Sequence, residues 1–138
     1  GRIKHYISAF GEHVIGKEVE SALKEAMEGT DVRVNEFTVA PQITPTEGLP
    51  YHEWFIEFEN QPENLEKFAL KIDTAMRKQN VYYDDLIVGN VLRTLVITSV
   101  PKNGFQEYMK SFGKLGGQNK LPRLSNDRKI AQFFEIKE

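Results

Sequence analysis

The stretch Tyr51-His52-Glu53-Trp54-Phe55-Ile56-Glu57-Phe58-Glu59 constrains the fold more than any other part of the chain. Trp54, Ile56 and Phe58 recur with a period of two, and Glu53, Glu57 and Glu59 take the alternate positions together with Phe55. That is the pattern of a strand, because successive side chains on extended backbone point to opposite faces. Pro62 then stands where a first helical residue is expected. Beyond it the period changes, and Leu65, Phe68, Ala69, Ile72 and Met76 form the stripe of a long amphipathic helix. A chain that switches period so abruptly must pack helix on sheet, since neither apolar face is stable in water.

The remaining segments fill in the order. Lys4 to Phe10 reads as a short strand broken by Gly11. Val19, Ala22, Leu23, Ala26 and Met27 predict a helix after Gly16 that stops at Gly29. Val32 to Ala40 reads as a strand ended by Pro41, and its apolar parity slips between Val34 and Phe37, which predicts a bulge near Asn35 and Glu36. Pro41, Pro45, Gly48 and Pro50 mark an irregular connection. A turn or short helix is expected over Tyr83 to Val88, closed by Gly89, and a buried β-branched strand over Leu92 to Val100. Asn103 is placed to cap a helix carrying Phe105, Tyr108, Met109 and Phe112. Ser125 or Asn126 is placed to cap a last short helix with Ile130, Ala131 and Phe134. This order predicts an α+β fold, a small mixed β-sheet with helices packed against it, in one domain over residues 1–138.

Charge and composition exclude several functions. The net charge is −2 and the lysines are scattered, so neither nucleic acid nor an anionic membrane is an expected partner. No apolar run is long enough to span a bilayer. The absence of Cys removes disulfides, thiolate metal sites and a Cys nucleophile, and suits a cytoplasmic protein. His5, His13 and His52 lack ligand spacing, so no metal site is expected. Asp84-Asp85 reads as a solvated helix start. No complete catalytic constellation assembles from these residues. The opening Gly1-Arg2, without an initiator Met, is the start expected of a fragment, with Gly1 either native or added.

Two segments carry candidate chemistry. Gly113-Lys114-Leu115-Gly116-Gly117-Gln118-Asn119-Lys120-Leu121-Pro122-Arg123 is a glycine-rich basic loop. Gly116 and Gly117 allow close backbone approach, Lys120 is a mobile point charge suited to a phosphate or oxyanion, and Arg123 is a bidentate anion donor. The spacing is not that of a Walker loop, and most exposed loop charges are merely solvated, so both readings stay open on pattern alone. The second is the opening segment from Gly1 to Glu20, whose pattern alone fits an amphipathic edge strand.

Both segments resemble known signatures. The opening is similar to the hinge motif of the acyl-adenylating superfamily, which includes acyl-CoA synthetases, luciferases and peptide-synthetase adenylation domains. Gly1, Arg2, Ile7, Gly11, Val14, Glu18, Val19 and Glu20 match in register, while His5 stands where an acid is common and Gly16 where proline is common. Gly117-Gln118-Asn119-Lys120-Leu121-Pro122-Arg123 resembles the C-terminal signature of the auxin-responsive (Gretchen Hagen) acyl-acid amido synthetases. Tyr6 to His13 and Gly48 to Phe55 resemble the bacterial branch of that family.

The resemblance implies a C-terminal lid domain of an enzyme that uses ATP with Mg2+ to convert an acyl acid to an acyl-adenylate, then transfers the acyl group to an amino acid. It implies that the chain's partner is its own N-terminal adenylation domain, which holds the nucleotide and acyl pockets. Lys120 would stabilise charge on the adenylate, and Arg2 and Lys4 would lie at the hinge. The turn Ala9, Phe10, Gly11 and Glu12 would face the active site in the second half-reaction. Gly116, Gly117, Gln118 and Arg123 would support the Lys120 loop. Alone, the chain is expected to be catalytically silent. The alternatives are the lid of an acyl-CoA ligase and a non-catalytic α+β binding module.

Overall fold

One strand organises the molecule. In the computed structural model, which describes residues 6–7, 10–111, 124, 128, 130–132 and 134, β4 (Tyr51–Asn60) lies in the centre of a three-stranded sheet. β3 (Arg33–Gln42) pairs with it antiparallel, and β5 (Val96–Ser99) pairs with it parallel. A separate two-stranded hairpin joins β1 (Tyr6–Ile7) to β2 (Val14–Ile15). The helices are α1 (Gly16–Met27), α2 (Leu65–Gln79), α3 (Val81–Val88) and α4 (Gly104–Ser111).

The alternation of β4 feeds two cores. Trp54, Ile56 and Phe58 pack with Phe37 and Val39 of β3 beneath α1 and α2. Phe37 stacks on Trp54 at 5.8 Å, and Phe58 meets Phe68 of α2 edge-on at 6.0 Å. Each large side chain buried here contributes about 1.5–3 kcal/mol. The opposite face places Phe55 and Ala40 against Val100, Phe105, Met109, Ile130 and Ala131. Phe134 closes this second core against Phe55 and Phe105. Two glutamates of that face are also wholly or largely covered, while Glu59 stays exposed. Glu57 accepts the Asn103 N–H at 3.2 Å and the Asn35 side-chain amide at 3.4 Å. Glu53 accepts from the Thr98 hydroxyl at 2.5 Å and pairs with Arg128 at 2.9 Å. These partners offset the cost of taking carboxylates out of water.

The α+β architecture and small mixed sheet match the expectation, as do α1, the positive φ of 74° at Gly29 and the bulge between Val34 and Glu36. Several boundaries differ. Pro41 does not end β3: it pairs with His52 and the strand runs to Gln42, which an edge strand tolerates. Pro62 lies outside α2, whose cap is Asn64, accepting from the Lys67 N–H at 3.0 Å. The strand expected over Leu92 to Val100 shrinks to β5, half-buried at the sheet edge, because the Leu95 N–H turns instead to Asp73 at 3.3 Å. Asn103 has φ 69°, not the extended geometry of an N-cap. α3 is closed by Gly89 as expected but starts at Val81, two residues before Tyr83, and Asn90 beyond it has φ 62°. β2 was not anticipated. Phe112, Ser125 and Asn126 lie outside the described residues, although residues 130–132 and 134 are helical. Among the described residues no helix is long and apolar enough to cross a membrane.

Candidate functional site

Of the candidate segments, the hairpin turn between β1 and β2 is the one with residues among those described. Tyr6 pairs with Ile15 and Ile7 with Val14, so the intervening chain must reverse. It does so with φ 89° at Gly11 and φ 48° at His13. Gly11 supplies such a conformation at little cost, whereas His13 must be held in it by its surroundings. Phe10 is 38% exposed and Gly11 is exposed. Glu12, between two exposed residues, is fully buried.

Its side chain turns inward to β4. One carboxylate oxygen accepts the Phe10 N–H at 2.7 Å, and the other lies 2.7 Å from Nε2 of His52, itself 2% exposed. Burial alone would raise the Glu12 carboxyl. The His52 hydrogen bond and charge, with the Phe10 N–H, outweigh that effect and hold it below its ordinary value. His52 shares the Trp54 and Ile56 face of β4, which is why its ring enters the first core.

Asn80 ties the other side of the turn. It ends α2 and caps α3, accepting the Tyr83 N–H on its side-chain oxygen at 2.9 Å. Its side-chain amide donates to the Glu12 carbonyl at 2.9 Å, to the Glu18 carboxylate at 3.1 Å and to the His13 carbonyl at 3.4 Å. Glu18 in turn accepts the Ile15 N–H at 3.1 Å at the start of α1. A second buried pair continues the line. The His52 ring lies 5.2 Å from that of Tyr83, and the Tyr83 hydroxyl donates to Asp73 at 2.5 Å. Burial, reinforced by the adjacent Asp73, pushes the Tyr83 hydroxyl well above its ordinary value. Burial likewise raises the Asp73 carboxyl, despite the bonds it accepts from Tyr83 and Leu95.

The structure therefore places Phe10, Gly11 and Glu12 on one turn and adds His52, Asn80, Tyr83 and Asp73, which sequence reading missed. Arg2, Lys4, Ala9, Gly116, Gly117, Gln118, Lys120 and Arg123 lie outside the described residues. The described chain on either side of the Lys120 loop is anchored. Before it, α4 packs Phe105 and Met109 into the second core. After it, Leu124 is fully buried and bridges Val39 in parallel on β3, and Arg128 pairs with Glu53 and lies over the Phe55 ring. Among the described residues no group of three His, Cys, Asp or Glu side chains is arranged to hold a metal ion.

Comparison with known proteins supports the fold. A family model described as the GH3 family C-terminal domain matches residues 17–129. The fold is similar to that of a GH3.15 acyl acid amido synthetase, with a TM-score of 0.75, 18% identity and coverage of 99% of this chain and 27% of that one. It is similar also to the AtGH3.15 acyl acid amido synthetase in complex with 2,4-DB, with a TM-score of 0.74, 18% identity and coverage of 99% and 26%. The chain thus spans about a quarter of the length of the structures it matches. At that identity the likeness speaks for the fold. No curated protein sequence matches the chain.

Proposed function

Because the chain belongs to the GH3 family, whose C-terminal domain it contains, we propose that it is the single mobile C-terminal lid domain of an ATP-dependent acyl-adenylating ligase. In the first half-reaction an acyl acid attacks the α-phosphate of ATP, giving acyl-adenylate and pyrophosphate. In the second an amino acid displaces AMP to form an amide. ATP with Mg2+ and the acyl acid belong to the N-terminal adenylation domain, the lid's partner. The lid contributes Lys120, which stabilises charge developing on the transferring phosphate or adenylate. Gly116, Gly117, Gln118 and Arg123 hold that loop. Arg2 and Lys4 lie where the domain swivels, a task a few residues can perform by absorbing large backbone changes. The turn Ala9 to Glu12 faces the active site in the second half-reaction. The protein is cytoplasmic and of the bacterial branch, and this chain alone is inactive.

The observation that supports this reading best is the family match over residues 17–129, combined with a fold likeness over 99% of the chain. The test uses full-length protein. It should exchange pyrophosphate into ATP only in the presence of an acyl acid, and form amide with amino acids rather than thioester with coenzyme A. Lys120→Ala should cut the exchange by about a hundredfold or more, the range for losing one oxyanion-type donor. Unchanged exchange would remove Lys120 from the mechanism.

A further inference from the structure

Glu12 is the point at which the turn is joined to the interior. A buried ion pair is a weak source of net stability, because an apolar pair of similar volume often serves as well. What Glu12 and His52 provide that an apolar pair does not is direction. The carboxylate fixes the Phe10 N–H at 2.7 Å, and the Asn80 amide fixes the carbonyls of Glu12 and His13 at 2.9 and 3.4 Å. Three backbone groups of one turn are thus held, one by the Glu12 carboxylate that His52 of β4 anchors and two by Asn80 at the junction of α2 with α3. The positive φ values at Gly11 and His13 call for such support, since strained backbone persists only where its surroundings over-determine it. The outcome is a turn whose tip, Phe10 and Gly11, is exposed while its base at Glu12 is buried and tied to the interior.

We infer that Glu12, His52 and Asn80 are positioning residues for the second half-reaction, holding the Phe10–Gly11 tip preformed for the face it presents to the active site. The inference rests on the ligase reading above. It predicts that loosening the pair slows amide formation and spares adenylation, because adenylation uses the Lys120 loop. His52→Ala leaves the Glu12 carboxylate without its ring partner and frees the turn. His52→Gln keeps a side-chain amide donor able to reach Glu12.

The experiment uses the full-length protein and measures the two half-reactions separately. Acid-dependent pyrophosphate exchange reports the first, and single-turnover amide formation from preformed acyl-adenylate reports the second. His52→Ala should slow amide formation by on the order of a hundredfold, the cost of misplacing a positioned group by about 1 Å. It should leave exchange within about twofold of wild type, and His52→Gln should recover most of the lost rate. His52→Ala also strands a buried carboxylate, so a second variant pairs His52→Phe with Glu12→Met, which keeps the interior filled and uncharged. This variant should melt near wild type and still form amide slowly. Equal losses in both half-reactions, or full amide formation by the double variant, would overturn the inference while leaving the ligase reading standing. A wild-type protein that neither exchanges pyrophosphate nor forms amide would overturn the ligase reading, and this inference with it.

Discussion

Replacing Asn80 separates two accounts of why it matters. As a helix cap alone, its side-chain oxygen satisfies the Tyr83 N–H at 2.9 Å. As a clamp, its amide also donates to the Glu12 carbonyl and the Glu18 carboxylate at 2.9 and 3.1 Å. Asn80→Ala removes everything. Losing the cap costs about 1 kcal/mol. Leaving a buried carbonyl without its donor adds about 1–3 kcal/mol. The total of about 2–4 kcal/mol, divided by a urea slope of about 2 kcal/mol/M, lowers the unfolding midpoint by about 1–2 M. Asn80→Asp is the discriminating variant. Aspartate caps as well as asparagine, so the cap account leaves the midpoint unchanged. The clamp account places an acceptor, ionised at neutral pH, against the Glu12 carbonyl and the Glu18 carboxylate. Its midpoint should then fall at least as far as that of the alanine variant. Asn64→Asp is the internal control, since Asn64 is exposed and caps α2 with one bond to the Lys67 N–H. It should stay within about 0.5 kcal/mol of wild type. Urea unfolding followed by circular dichroism gives all three midpoints. An Asn80→Asp midpoint within about 0.3 M of wild type, beside a large loss for Asn80→Ala, would refute the clamp.

Two further expectations follow. Gly104→Ala should lower the melting temperature although alanine favours helix, because its methyl would lie 2.5 Å from Val100 and 3.3 Å from Phe134. Overpacking of that kind costs about 1–3 kcal/mol, and an unchanged or higher melting temperature would refute it. The second concerns pH. The Glu12 carboxyl is held below its ordinary value of 4.5, so the unfolded chain takes up the proton first, and stability present above that value is lost as the pH falls through the folded one. Asp73, raised, acts with the opposite sign. The urea midpoint of wild type should therefore fall more steeply over about pH 5 to 3 than that of Glu12→Gln, and equal slopes would sink the assignment.

The sequence carried the elements better than it carried their ties. Period two at Trp54, Ile56 and Phe58 and period 3.6 at Phe68, Ala69, Ile72 and Met76 are local signals, and both appear in the first core. The bulge at Val34 to Glu36 was legible because a slip of one residue moves every side chain to the other face. Pro41 misled because a strand end and an edge strand look alike in sequence until the sheet order is known. The polar network was hidden for a different reason. Glu12 meets His52 across 40 residues of chain and Asn80 across 68, and no local pattern records such pairings. Asn80 did carry one usable sign, a capping residue between an apolar helical stripe and a second apolar run. His52 carries no such sign, since metal-ligand spacing is a local pattern and its partner Glu12 lies in another segment.

The bridge from Leu124 to Val39 bears on how the loop before it can be studied. Cutting the chain after Ser111 would remove Lys120, but it would also remove Leu124, Arg128, Ile130, Ala131 and Phe134. β3 would be left with a bare hydrogen-bonding rim, Glu53 with a stranded charge, and Phe55 with an open face. A truncated protein that fails would therefore report a broken scaffold and say nothing about the loop's chemistry. Point substitutions at Lys120 keep Leu124, Arg128 and the residues after them in the chain and so isolate the chemistry.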